Sequence, residues 1–550
     1  MLEGFVPFPP EFAARYRRHG YWLDRSLASI FDEAFSRFAD RPAVVAGPER
    51  VTYRELARRV ERLALHLLTL GLGPLDRVVV QLPNVPEFVY LYFALQKLGA
   101  IPLLALPPHR YHEIHTFVEL TEAVAYAFPD RMGDFNFAEL AERIKAEYRS
   151  VRFLLASGED VPPGALSIRE LVERESGLSR KALDRIKIDP ADPAVFQLSG
   201  GTTGVPKIIP RTHNDYAYNS KPIGDLNDIR PDDALLVVVP IAHNFPLASP
   251  GIQGFLMRGA RVVLSTSVRA QDVFPLIQRE RITHLELAPT LLIRWINDPL
   301  LKSHDLSSVR IINTGGQKLQ PEVKRRTEEL IPSCKVQEIF GMAEGLLCIV
   351  RLDDPDEARL ETVGRPVSPD DEIKLVDEEG REVPEGEIGE LLCRGPYTLR
   401  GYFRAPEHNA RAFTPDGFYR TGDLMRRHPS GNLIVEGRKK DLINRGGEKI
   451  SAEEVENLIL SHPAVRNVAC VPMPDPVLGE RMCAYIIPRS GATLTLPELV
   501  GFLTSKGLAR FKLPERIELV EEFPISPFGK VSKLTLTRRI AEKLQAEAKS

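Results

Sequence analysis

The stretch Ser199-Gly200-Gly201-Thr202-Thr203-Gly204-Val205-Pro206-Lys207 gathers three glycines, three hydroxyls and a lysine. Glycines let a backbone adopt conformations closed to other residues and approach a ligand closely. Successive N–H groups in such a turn form a concave anion site. The hydroxyls donate further hydrogen bonds, and the lysine adds positive charge, so the set suits a polyphosphate. It is not a Walker A loop, because no Gly-Lys-Ser/Thr closes it. Composition alone does not separate it from a flexible surface loop. The preceding run, Ala194 to Leu198, is apolar and β-prone, which puts the loop at the exit of a strand.

Further stretches carry chemistry downstream. Gly341-Met342-Ala343-Glu344-Gly345 offers a carboxylate in a glycine-flanked turn, suited to holding Mg²⁺ beside phosphates. Tyr419-Arg420-Thr421-Gly422-Asp423 puts a carboxylate at a turn, where it can accept hydrogen bonds from a ribose diol. Gly437-Arg438-Lys439-Lys440-Asp441 supplies cations, and Phe528-Gly529-Lys530 places a lysine on a glycine turn. Singly, Asp423 reads as a turn former and Lys530 as a solvated lysine. Their occurrence together in this order makes coincidence implausible. His109, His112 and His115 with Glu113 drift round a helix, and no second cluster completes a metal site.

The elements that must position these residues alternate. Thr52 and Glu55 form a capping box ahead of Leu56, Val60, Leu63, Leu67 and Leu70, which share one helical face ending at Gly71. A strand over Arg77–Leu82, a helix over about Val85–Leu98 and a strand from Ile101 follow. Strands at Val151–Leu155, Ala234–Pro240, Arg261–Ser265 and Val309–Asn313 continue the pattern, which predicts a mostly parallel α/β sheet. From about Asp371 the texture becomes a β-meander, with Glu372–Val376 and Gly389–Arg394 around the turn Asp377–Gly380. Ser451 and Glu454 cap a helix running to about Leu460. Strands near Val468–Val471 and Ala484–Ile487 and a helix near Pro497–Lys506 make a small α+β domain.

At 550 residues the chain predicts several domains. Hydrophobic content of 43% and charged content of 27% are those of a globular protein. A net charge of −3 gives no reason to expect nucleic acid or a membrane surface as partner. The five cysteines are widely spaced with no C-x-x-C pair, which predicts reduced thiols rather than zinc or disulfides. The first residues lack the basic and apolar regions of a signal peptide, and no run is long enough to span a bilayer. A cytoplasmic enzyme is expected.

Together these motifs resemble the acyl-adenylate-forming superfamily: acyl-CoA synthetases, firefly luciferase and the adenylation domains of nonribosomal peptide synthetases. The resemblance runs from about Leu27 to Lys533. It implies a large N-terminal domain of parallel α/β sheets with a β-rich subdomain, residues 1–436 with the subdomain at about 370–436. A hinge at 437–441 and a small mobile α+β domain at 442–550 complete it. It implies ATP and Mg²⁺, with Ser199, Gly200, Gly201, Thr202, Thr203, Gly204 and Lys207 on the phosphates. Gly316 and Ile339 would flank adenine, Glu344 hold the metal, and Asp423 and Arg438 bind ribose. Lys530 would be the catalytic lysine and contact the acid. Lys440 would be the pivot, and Lys449 would contact a phosphopantetheine arm.

The segment His243-Asn244-Phe245-Pro246-Leu247-Ala248-Ser249 resembles the branch that activates aryl acids for siderophore assembly, the 2,3-dihydroxybenzoate–AMP ligases. It has no Asp to hold an ammonium, and neutral Asn244 suits an ortho hydroxyl. Phe245 can wall an aromatic ring. Small Ala343 and Gly316 leave it room. Resembling enzymes that take salicylate tend to carry Cys at the position of Ser249. A serine can pair with a 3-hydroxyl where a thiol pairs poorly, although a turn or N-cap role ahead of Pro250 is the plainer reading. The implied activity is adenylation of 2,3-dihydroxybenzoate, then thioester formation. Salicylate–AMP ligase and aryl-CoA ligase are the alternatives, with a non-catalytic nucleotide- or aryl-acid-binding protein as one of another class. Only 20 residues follow Lys530, so an aryl carrier protein in trans is the expected acceptor.

Overall fold

Apolar strands alternating with one-faced helices give the predicted α/β architecture. The computed structural model describes residues 2–199, 206–316, 318–445, 448–506, 508, 510–526 and 530–547. Gly200, Gly201, Thr202, Thr203 and Gly204 of the glycine loop lie outside the described residues, as do Phe528 and Gly529. The chain forms two compact units, Met1–Glu372 with Cys393–Tyr419, and Ile373–Leu392 with Arg420–Ser550.

The first unit holds a nine-stranded and a seven-stranded sheet. In the nine-stranded sheet Lys335–Met342, Ile311–Gly315, His284–Leu287, Ala234–Val237, Arg261–Leu264 and Pro42–Ala46 run parallel, edged by antiparallel strands. In the seven-stranded sheet the antiparallel pair Pro193–Leu198 and Ile208–Thr212 sits at one edge. The helix Tyr53–Thr69 begins as its capping signal predicts, with the Thr52 side chain accepting from the Glu55 N–H. Its face of Leu56, Val60, Leu63 and Leu67 is fully buried, worth about 1.5–3 kcal/mol per large side chain. The helix Pro86–Leu98 is buried all round, Glu87 and Lys97 included.

Two strands start two residues later than their apolar onset suggests, at Phe153 and Ile311. Val151 and Val309 instead donate their N–H groups back to Tyr148 and Leu306, closing turns. In the second unit the predicted short strands are one long hairpin, Val465–Asp475 on Gly479–Pro488. Pro472 and Pro474 broke the pattern in sequence, yet Val465–Asp475 is an edge strand, where proline is tolerated. The helix Lys533–Glu547 was not foreseen. All five cysteines are buried thiols, and none is in a disulfide. Among the described residues no helix is long and apolar enough to cross a membrane.

Two buried histidines set an acid limit. His109 Nδ1 accepts the Leu106 N–H at 3.1 Å, and His213 Nδ1 accepts the Leu27 N–H at 3.3 Å. Burial pushes them down to about 4 and about 3. Below pH ~6.5 the unfolded chain takes up protons that the folded chain refuses. Stability is therefore retained above that pH and lost as pH falls towards 4, by on the order of 1.4 kcal/mol per pH unit for each histidine. Thermal melts between pH 7 and pH 4.5 are expected to show this fall, and His213→Gln to flatten it.

Candidate active site

The glycine loop closes an antiparallel hairpin. Leu198 pairs with Ile208 in register. One residue further, the Ser199 N–H donates to the Lys207 carbonyl and the Lys207 N–H donates to Ser199 Oγ, both at 2.9 Å. The neck of the loop is thus held by a backbone bond and a side-chain bond.

Glu344 stands in a two-residue turn. Strand Lys335–Met342 pairs with Gly345–Ile349, and Met342 faces Gly345. Gly345, at φ 147°, has no room for a side chain: a Cβ would come within 2.4 Å of the Thr398 Cα. The buried Glu344 carboxylate accepts the Tyr402 hydroxyl at 2.8 Å, and Tyr402 meets the Tyr419 hydroxyl at 2.9 Å. Burial and that carboxylate push the Tyr402 phenol far above its ordinary range. The His408 ring packs edge-on against Tyr402 with centroids 5.0 Å apart. Burial, and secondarily the charge of Lys207, hold His408 below its usual value. One carboxylate at a tight turn fits a hard divalent cation with oxygen ligands from elsewhere.

The acid segment caps and forms the short helix Asn244–Ala248, with His243 Nδ1 accepting the Phe245 N–H at 3.2 Å. Asn244, Ser249 and their partners form a buried chain. Gln197 Nε2 donates to Tyr216 Oη and Tyr216 Oη to Asn244 Oδ1, each at 2.9 Å. Asn244 Nδ2 donates to Ser249 Oγ at 3.2 Å, and Asn219 Nδ2 reaches the same oxygen at 3.4 Å. Ser249 is not an N-cap. It accepts two hydrogen bonds, which leaves its own O–H as a donor.

Arg211 ties this chain to the Glu344 turn. It is fully buried and donates to Asp215 Oδ1 at 2.8 Å, Asn219 Oδ1 at 3.2 Å and the Ala343 carbonyl at 2.9 Å. Parallel pairing sets Ile339 opposite Gly315. The adjoining Gly316, at φ 90°, leaves the strand end there. Ile339, Tyr218 and Tyr397 belong to one buried apolar cluster, against which half-buried Phe245 packs. The first unit thus brings together Ser199, Lys207, His243, Asn244, Phe245, Ser249, Gly316, Ile339, Ala343 and Glu344.

The second unit holds the rest. Asp423 is not at a turn, as its sequence suggests, but inside the strand Tyr419–Arg427. Gly422, at φ 71°, is the local break that mimics a turn. Asp423 faces Arg438 on Leu433–Arg438, and Arg438 Nε donates to its Oδ1 at 2.8 Å. Lys440 lies in the single turn Lys439–Asp441 and Lys449 in the strand Glu448–Ser451, their side chains outside the described residues. Lys530 closes a short loop, its N–H on Ser526 Oγ at 3.2 Å and its carbonyl accepting the Ser526 N–H at 2.6 Å.

Sequence reasoning missed Gln197, Arg211, Tyr216, Asn219 and Tyr402. Arg211 had a readable signal. An arginine after Ile208-Ile209, with an acid four residues on, marks a buried pair. The others come from distant segments and carry no local pattern.

Residues 31–403 match the profile of the AMP-binding enzyme, and residues 454–530 match the AMP-binding enzyme C-terminal domain. The chain belongs to the AMP-binding enzyme family. It is 49% identical over 537 residues to a salicylyl-CoA synthase / salicylate adenylyltransferase of a Streptomyces species, covering 97% of each chain. It is 45% identical over 546 residues to the 2,3-dihydroxybenzoate-AMP ligase of Bacillus subtilis strain 168, covering 99% of each. Among solved structures, this AMP-binding enzyme resembles apo MbtA of Mycobacterium smegmatis at 40% identity. The TM-score is 0.75, with 98% of this chain and 99% of that one covered. The superfamily and the α/β fold expected from sequence therefore hold.

Proposed function

We propose that this AMP-binding enzyme activates 2,3-dihydroxybenzoate with ATP as the acyl-adenylate, releasing pyrophosphate, and then passes the acyl group to a phosphopantetheine thiol on an aryl carrier protein. Adenylation of an aryl acid is what the two relatives share. The observation that carries the finer reading is Ser249, whose oxygen is occupied by Asn244 and Asn219 and whose proton is free to meet a ring hydroxyl. A site built to bond a hydroxyl rejects the analogue lacking it, because its own group is left unpaired.

In this reading the acid lies against Phe245 and Ile339, with its ortho hydroxyl at Asn244. The glycine loop and Lys207 hold the phosphates, Gly316 and Ile339 flank the adenine, and Asp423 with Arg438 takes the ribose. Glu344 would hold Mg²⁺, which when bound neutralises the phosphates. Lys530 bridges the attacking carboxylate and the α-phosphate, two anions that otherwise repel. Rotation of 442–550 about 437–441, with Lys440 at the pivot, then presents Lys449 to the phosphopantetheine arm. The name of the Streptomyces relative favours a second reading, in which salicylate is the acid and coenzyme A the acceptor.

ATP–pyrophosphate exchange with benzoate, salicylate and 2,3-dihydroxybenzoate tests the acid. Thioester formation on coenzyme A against a phosphopantetheinylated carrier tests the acceptor. Ser249→Cys is expected to lower the ratio of kcat/KM for 2,3-dihydroxybenzoate over salicylate by about 10-fold or more. A constant ratio would remove Ser249 from the pocket.

A further inference from the structure

A row of three polar side chains crosses the nine-stranded sheet. Register aligns Glu286 with Asn313 and Asn313 with Gln337 on adjacent parallel strands, so all three point to one face. Their neighbours Leu285, Leu287, Ile312 and Val336 enter the apolar cluster on the other face. Each of the three is at most 1% exposed, and each has a buried oxygen with no hydrogen-bond partner among the described residues. Asn313 Nδ2 reaches Asn227, and Gln337 Nε2 donates to the Val350 carbonyl at 2.9 Å, so only their oxygens are left over.

Glu286 is the member of the row attached to the acid segment. Its Oε1 accepts the Gly251 N–H at 2.9 Å, and its Oε2 is the oxygen without a partner. Gly251 lies two residues beyond Ser249. It is held at φ 54°, where a Cβ would meet the Pro246 carbonyl at 2.5 Å. Glu286 is thus fastened under the turn that presents Ser249. Two residues along the same face, towards the strand ends, stand Gly315 and Ile339, and Phe245 packs against the apolar cluster that contains Ile339. At ~3.3 Å of rise per residue, that step is about the span of an aryl ring.

A lone carboxylate in such a place is costly, and burial raises the Glu286 carboxyl well above its ordinary range. Burial thus favours its neutral form, which can both donate and accept. No arginine, lysine or histidine among the described residues pairs with it, so it is not half of a structural ion pair.

We infer that Glu286 is a specificity-determining residue of the acid pocket, and that it hydrogen-bonds a hydroxyl or amino substituent on the ring edge remote from the substrate's carboxylate. This rests on the aryl-acid reading above and narrows it to acids with a polar group beyond the ortho position. Hydroxyl and amino groups share the needed chemistry, an X–H donor whose heteroatom also accepts.

The test is pyrophosphate exchange by the full chain with salicylate, the 2,3-, 2,4- and 2,5-dihydroxybenzoates and the corresponding aminosalicylates. The protein is tested as wild type, Glu286→Gln and Glu286→Ala. In wild type at least one of the substituted acids is expected to exceed salicylate in kcat/KM. Glu286→Ala is expected to lower that preference, read as the ratio of kcat/KM values over salicylate, by about 10-fold or more. Glu286→Gln keeps an acceptor for Gly251 and is expected to fold. It should shift the balance between hydroxyl and amino arms, because an amide presents an N–H donor where the carboxyl presents an oxygen. Equal losses for every acid in both variants would show that Glu286 only supports the Gly251 turn, alone or through water, and would overturn the inference. Failure of the wild type with every acid would instead remove the aryl-acid reading itself.

Discussion

Replacing Lys530 with alanine is expected to slow acyl-adenylate formation by about 10²–10³ while ATP still binds. The reaction joins a carboxylate to an α-phosphate, and charge repulsion is a large part of its barrier. A cation that touches both anions only as they meet stabilises the transition state more than the ground state. The loss should therefore fall on kcat, with KM for ATP nearly unchanged. Lys530 bonds Ser526 through its backbone N–H and carbonyl, and Lys530→Ala keeps both of those bonds. Pyrophosphate exchange and nucleotide binding, measured side by side, check this. Equal rates for variant and wild type would take Lys530 out of the chemistry.

The second large effect belongs to Arg211. Its guanidinium and the Asp215 carboxylate are both removed from solvent, at 0% and 2% side-chain exposure. Asp215 also accepts the Thr212 N–H at 2.7 Å and the Thr212 hydroxyl at 2.8 Å, which starts the helix His213–Leu226. Burial raises the Asp215 carboxyl, and Arg211 opposes that rise. Arg211→Leu leaves the acid buried without its cation, which costs about 3–5 kcal/mol in comparable pairs. We expect an earlier melt of the unit that holds it. Arg211→Leu with Asp215→Leu should regain more than half of the lost stability, since removing both charges leaves no buried ion without its counter-ion. Activity should not return with it. The Ala343 carbonyl and Asn219 would still lack the donor that sets the Glu344 turn against Ser249. Denaturation curves and exchange rates for the single and double variants separate the two effects.

What could be read in the sequence, and what could not, follows the range of the forces involved. The Tyr53–Thr69 helix was legible because its cap, its apolar face and its terminal glycine lie within a few turns of one another. The strand that ends at Leu198 and the Glu344 turn were legible because both signals are local. Asp423 misled because Gly422 imitates a turn inside a strand. The long C-terminal hairpin misled because prolines look like breaks until the strand is known to be an edge. The Gln197–Tyr216–Asn244–Ser249–Asn219 chain could not be foreseen. It joins a strand, a helix and a loop whose approach depends on sheet packing, not on neighbours in sequence. Glu286 is similar: as one acid between two leucines it resembles an ordinary alternating strand, and only the helix lying on that face turns it into a buried group.

The doubly bonded neck between Ser199 and Lys207 bears on how a nucleotide is received. Bringing the ends of a flexible segment together carries an entropic penalty that grows slowly with its length. Here that penalty is absorbed when the hairpin folds, because the ends are already joined on both backbone and hydroxyl. In the proposed function, a triphosphate arriving here meets loop ends that need not be brought together. More of its electrostatic attraction is then left to show as affinity.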